Sequence, residues 1–137
     1  GLLLTTTPRK MQKGLLKMRK QSSTSVKIFY FPKKAVWSAL RTLSADMAGE
    51  FSEIERIVVF GSLARDEAVP GSDVDLLIIL KESSIPILER IPKYAPNHFP
   101  VGVDVFPYTE DELEIKLKDG DFFVKRVLKE GIELFRR

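Results

Sequence analysis

A chain of 137 residues, 44% of them hydrophobic, with a formal charge of +3 at neutral pH, has the length and apolar content of one ordinary globular domain. No apolar run approaches the roughly 20 residues that cross a bilayer, and the opening Gly-Leu-Leu-Leu is too short for a signal-peptide core. With no cysteine and a single histidine, His98, neither disulfides nor a thiolate or zinc site can be built, and a soluble, cytoplasmic protein with no membrane contact is expected.

Charge divides the chain. Residues 1–45 hold ten Lys or Arg and no acid, while residues 46–137 hold twelve Lys or Arg against nineteen acids, so the two parts carry +10 and −7. Residues 1–25 read as a basic N-terminal arm ahead of a domain over 26–137, and Gly1 in place of methionine points to a processed or tagged start. The run from Pro8 to Lys20 could contact RNA or an acidic partner, although a solvated arm is the commoner use of such a run. Met11, Leu15, Leu16 and Met18 could form one face of a short helix there.

Beyond the arm, residues 26–31 predict a strand that Pro32 ends, followed by a helix over 33–47 with Ala35, Val36, Leu40, Leu43 and Met47 at helical spacing. Trp37 reads as packing surface of that helix. Ile57 to Phe60 and Val74 to Leu80 are short apolar runs between turn residues and predict buried strands, with a short helix over Leu63-Ala64-Arg65 between them. A further helix is expected over 86–94 and a strand over 101–106. Thr109 followed by Glu110, Asp111 and Glu112 predicts a capped helix start. Asp121 would cap a helix bearing Phe122, Phe123, Val127 and Leu128, which Gly131 ends before a final strand. The sum is an α/β domain, a mixed β-sheet with helices packed on it, without internal repeats.

The chemistry concentrates where Gly61-Ser62 is followed, after ten residues, by Asp73-Val74-Asp75. Side chains two apart on a strand project from the same face, so Asp73 and Asp75 point together. Aspartate is depleted in strands, and burying two like charges costs several kcal/mol without a cation or strong donors. Gly61 would let backbone approach a ligand, while Ser62 would cap the short helix and leave N–H groups aimed at an anion. Magnesium, a hard cation suited to oxygen ligands, would bridge phosphates to the carboxylates. A turn and an exposed strand end would account for Gly-Ser and for the acids separately, but not for their joint placement between two apolar strands.

Gly61-Ser62, ten residues, then Asp73-x-Asp75 resembles the signature of the DNA polymerase beta-type nucleotidyltransferase superfamily, and its minimal nucleotidyltransferase branch in particular. Ala64-Arg65, Pro70-Gly71-Ser72 and the strand carrying both acids support the likeness. Downstream, Val101 to Phe106 resembles the family strand bearing a third carboxylate, here Asp104, and residues 122–134 its closing helix, glycine and strand. The resemblance covers residues 26–137 and departs at Asp66, where relatives commonly carry glycine. Asp66 is expected to point to solvent or to pair with Arg65 or a lysine, and Arg65 to contact nucleotide unless neighbouring acids engage it.

The resemblance implies transfer of a nucleoside monophosphate, adenylate from ATP, to a hydroxyl of an acceptor. Asp73, Asp75 and Asp104 would be the catalytic and metal-binding set for two Mg2+ ions, with Gly61, Ser62 and Arg65 binding the nucleotide. It also implies a small helical HEPN-type protein as partner, with the chain acting as an antitoxin by modifying it. The alternative is a non-catalytic nucleotide-binding module that occludes a protein or RNA partner. Tyr94, Phe99 and Tyr108 are read as packing residues rather than a base pocket.

Overall fold

In the computed structural model, residues 31–137 are described. The arm expected over 1–25, and the strand expected over 26–31 save Phe31, lie outside them. The elements run α1 (Lys33–Glu50), β1 (Ile54–Phe60), β2 (Val74–Leu80), α2 (Ile87–Tyr94), β3 (Val103–Thr109), α3 (Glu110–Lys118), α4 (Phe122–Glu130) and β4 (Ile132–Arg136). The strands form one mixed sheet in the order β3-β2-β1-β4. β1 pairs antiparallel with β2 and with β4, while β2 and β3 are parallel, joined by the crossover that carries α2.

Strand alternation sends the apolar side chains to two cores. Ile57 and Val59 of β1 and Leu76, Ile78 and Leu80 of β2 meet Val36, Leu40 and Met47 of α1 and Tyr94 of α2. On the other face, Val58 and Phe60 of β1 and Leu77 and Ile79 of β2 meet Leu113 of α3 and Val124 and Val127 of α4. With both faces covered, residues 57–60 of β1 and 76–80 of β2 are continuous apolar runs, as buried central strands require. Trp37 packs against the first core, as do Phe99 and the buried Tyr94, while Tyr108 packs against the second.

Two capping expectations are met atom for atom. The Thr109 hydroxyl accepts from the Glu112 N–H at 3.1 Å while Glu112 Oε1 accepts from the Thr109 N–H at 2.9 Å, a complete capping box. Asp121 Oδ1 accepts from the Val124 N–H at 3.1 Å. α1 continues three residues beyond the predicted Met47, and β1 starts three residues ahead of the predicted Ile57. Its half-buried Glu55 and Arg56 hid that start from an apolar-run criterion.

One local expectation is corrected. The segment after Ser62 is a run of turns, not a helix: the Arg65 N–H donates to the Gly61 carbonyl and the Glu67 N–H to that of Ser62, and Asp66 has φ 60°. A left-handed residue cannot continue a right-handed helix. Gly131 ends α4 as expected, with φ −68°. A Cβ there would collide with Val58 and the Val127 carbonyl, so the glycine serves the close passage from α4 into β4 against β1. No helix among the described residues is long and apolar enough to cross a membrane.

Candidate functional site

The site is assembled at the end of the sheet where β1 finishes and β2 and β3 begin. Parallel pairing puts Asp75 directly beside Asp104, and antiparallel pairing puts Asp75 opposite Phe60. Asp75 and Asp104 alternate with Leu76 and Val105, which belong to the α1 core, so both acids point to the face that α3 and α4 cover. Asp73 stands two residues ahead of Asp75. The turn that delivers it is held by the Ser72 N–H to the Val69 carbonyl and by the Val69 N–H to Ser72 Oγ, both 2.9 Å, and passes through Gly71 at φ 91°.

Two glycines let backbone lie against the acids. Gly61 has φ 81°, and a Cβ on it would overlap the Asp75 carboxylate. A Cβ on Gly102 would overlap the Asp73 carboxylate, and the Gly102 carbonyl accepts from the Val74 N–H at 2.8 Å, which fixes it there. Gly61 is therefore needed twice over, for its dihedral and for its missing side chain. Gly102 was legible only as part of a strand; its proximity to Asp73 comes from β2–β3 pairing.

A cleft of about 490 Å³ opens over this end, lined by Gly61, Ser62, Arg65, Asp73 and Asp75. Five of the six expected site residues thus share one cavity. Asp104 does not line it and stands beside Asp75 on the next strand. The opposite wall, which the sequence reading did not assign, is α4: Phe123, Arg126, Val127 and Glu130. Their spacing of three, four and seven residues is a single helical stripe, a signal present in the sequence with nothing to say what it faced. Phe123 is braced edge-on against Phe60 at 5.6 Å and tilted against Phe106 at 6.0 Å, two residues beyond Asp104.

Burial, joined by the charges of Asp104 and Asp73 and opposed by Arg65, pushes the Asp75 carboxyl up to about 6. Arg65 itself donates to Glu67 at 3.0 Å, so a neighbouring acid does engage it at the rim. Asp66 pairs with Lys33 at 2.5 Å, both side chains being exposed. Its φ of 60° supplies a physical reason for glycine at that position in the family pattern: the turn requires a left-handed residue, which aspartate adopts more readily than most.

Among the described residues, no group of three carboxylates is drawn close enough to hold an ion as it stands. Like charges on one face resist being closed into a cluster. The donor set nevertheless fits a hard divalent cation: carboxylate oxygens at neighbouring positions, half-buried, with Asp75 raised by burial and then by its neighbours' charge.

A family model described as "Nucleotidyltransferase domain" matches residues 40–134. The 1.40 Å crystal structure of a candidate nucleotidyltransferase from Sulfolobus solfataricus is similar in fold, with a TM-score of 0.55 and 20% identity over 85% of this chain and 91% of that one. No curated protein matches. The matched span contains both glycines, all three acids and the α4 wall.

Proposed function

Because the chain belongs to the nucleotidyltransferase-domain family, whose model covers most of it, we propose that it moves a nucleoside monophosphate, adenylate from ATP, onto a hydroxyl of an acceptor. The observation that carries this reading is the joint placement of Asp73 and Asp75 with the Gly61-Ser62 turn in one cleft, and of Asp104 at the register position beside Asp75. Asp73 and Asp75 would hold two Mg2+ ions, with Asp104 completing the set on the acceptor side. Bound there, the ions would neutralise phosphate charge and acidify the acceptor hydroxyl.

The chain's own groups do the rest. Gly61 and Ser62 bring backbone against the phosphates, and Asp104 takes the proton of the attacking hydroxyl. The acceptor oxygen then bonds to the α-phosphorus as the bond to pyrophosphate breaks, and pyrophosphate leaves with its electron pair. Arg65, tied to Glu67, is a phosphate contact only after exchanging that partner. The helical HEPN-type protein implied by resemblance would be one class of acceptor.

The test is incubation with Mg2+ and ATP labelled on the α-phosphate in host lysate, beside Asp73→Asn and Asp75→Asn. Label on a macromolecule that both variants lose is the expected result. ATP binding without any label would instead support the non-catalytic module.

A further inference from the structure

The α4 wall of the cleft has no task in the transfer chemistry described above. Phe123, Arg126 and Glu130 follow one another at intervals of three and four residues, so they project along one side of the helix, while Val124 and Val127 anchor it in the core. Phe123 is 44% exposed, yet its ring is held by the contacts with Phe60 and Phe106. A ring fixed by two others and open to a cleft is a surface ready for stacking. Phe60, the other ring that lines the cleft, is 7% exposed and offers no face to a ligand. Arg126 and Glu130 stand four apart, a spacing at which opposite charges commonly pair. Among the described residues, however, no ion pair holds either of them.

We propose that this stripe of α4 is the subsite for the donor's nucleobase, with Phe123 stacking on the ring system and Glu130 accepting from the exocyclic amino group of adenine. The inference rests on the nucleotidyl-transfer reading and names the residues that set its donor specificity. The side of the cleft formed by Gly61, Ser62, Asp73 and Asp75 is polar and suits a metal-bound triphosphate. A planar base needs the opposite kind of surface, and Phe123 is the exposed ring that supplies it. At about 490 Å³ the cleft falls within the range of roughly 300–1,000 Å³ that small-molecule sites occupy. An ionised carboxylate accepts hydrogen bonds and donates none. Glu130 therefore favours the 6-amino group of adenine over the carbonyl that hypoxanthine carries at the same position, where two acceptors would face each other. Arg126, between them on the stripe, offsets the Glu130 charge on the wall that the triphosphate must pass.

The experiment titrates the full chain, with Mg2+ in excess, against ATP, ITP and inorganic tripolyphosphate, which keeps the triphosphate and lacks the base. The parent should bind ATP about tenfold more tightly than ITP, the worth of one hydrogen bond to a charged acceptor, and more tightly still than tripolyphosphate. Phe123→Leu keeps an apolar side chain against Phe60 and Phe106 but removes the ring. It should weaken ATP binding about tenfold, as the loss of one stacked base does, and leave tripolyphosphate binding within about twofold of the parent. Glu130→Gln, whose amide donates as well as accepts, should bring ATP and ITP to nearly equal affinity, again with tripolyphosphate unchanged.

Equal losses of ATP and tripolyphosphate affinity in Phe123→Leu overturn the inference, since the ring would then shape the cleft without touching the base. ATP affinity unchanged in that variant overturns it as well, and an ATP-to-ITP ratio unchanged in Glu130→Gln overturns the amino contact. Tripolyphosphate bound by the parent as tightly as ATP would remove the base subsite and leave the nucleotidyl-transfer reading standing. Failure of the parent to bind either ligand would sink that reading and, with it, the role of α4.

Discussion

At the end of the sheet where β2 and β3 begin, Asp73, Asp75 and Asp104 share one face, and no ion pair holds Asp73 or Asp75 among the described residues. At the end where β3 finishes, Glu112 receives both Nη atoms of the buried Arg90, at 2.7 and 2.9 Å, and Arg90 also donates to the carbonyls of Pro107 and Ile85. Glu53, ahead of β1, accepts from the Tyr94 hydroxyl and pairs with Lys93 at 3.4 Å. The same residue chemistry therefore titrates in opposite directions. The hydrogen bonds from Arg90 outweigh burial and hold Glu112 down to about 2, and those from Tyr94 and Lys93 outweigh burial at Glu53, whereas burial and like charge push Asp75 up to about 6. One end spends its carboxylates on joining elements, whereas at the other Asp73 and Asp75 enter no ion pair among the described residues.

The largest effect should come from removing a carboxylate at the open end. Asp73→Asn or Asp75→Asn should lower nucleotidyl transfer by about 100-fold or more, the loss of an electrostatic contribution worth several kcal/mol in the transition state, as measured by label transfer at saturating ATP. An unchanged rate in both variants would place the chemistry elsewhere.

At the closed end the expected effect is on folding instead. Arg90 is 4% exposed and ties α2 to β3 and α3, so Arg90→Ala should cost about 3 kcal/mol of stability, measured by urea unfolding, through lost packing and three carbonyl or carboxylate partners left behind. Glu112 reaches solvent, which keeps the loss below that of a fully buried pair. Mg2+-ATP binding in the surviving folded fraction should be unaltered.

The two ends should also separate with pH. A carboxyl held down to about 2 contributes stability that is fully present above its unfolded value near 4.5 and is lost as pH falls between 4.5 and 2. A carboxyl raised from 3.8 to about 6 contributes in the other sense: its share is full below 3.8 and disappears as pH rises through 6. With EDTA present, Asp75→Asn should therefore raise stability at pH 7 by about 1–2 kcal/mol, after allowance for partial exposure, while leaving stability at pH 3.5 nearly unchanged. A destabilised variant at pH 7 would mean that Asp75 is held by donors rather than strained by its neighbours.

This contrast explains which parts of the protein were legible in the sequence. Thr109 with Glu112, and Asp121 with the first turn of α4, are local devices whose partners lie within three residues, so pattern alone locates them. Asp73 and Asp75 were legible because their spacing fixes a shared face and because strands seldom carry such residues. Arg90 was not: an arginine in a short amphipathic helix reads as solvent-facing until the crossover lays α2 against β3. The α4 wall was hidden for the same reason, since a helical stripe shows its period but not its neighbour. The turn after Ser62 failed in another way, because nothing in Leu63-Ala64-Arg65 itself opposes a helix; the left-handed Asp66 does.

That aspartate carries the smallest and most local prediction. Its φ of 60° is costly for a residue with a Cβ, by about 1 kcal/mol, and its compensation is an exposed pair with Lys33 worth at most a few tenths. Asp66→Gly should accordingly stabilise the domain by about half a kcal/mol, whereas Asp66→Ala, which keeps the Cβ and loses both the pair and the local polar tolerance of this backbone region, should destabilise it by about 1 kcal/mol. Urea midpoints of the two variants against the parent would read the difference. Asp66→Gly falling below the parent would mean that the tie from this turn to Lys33 of α1 outweighs the backbone cost. The turn that presents Gly61 and Ser62 to the cleft would then be anchored from outside rather than by its own dihedral angles.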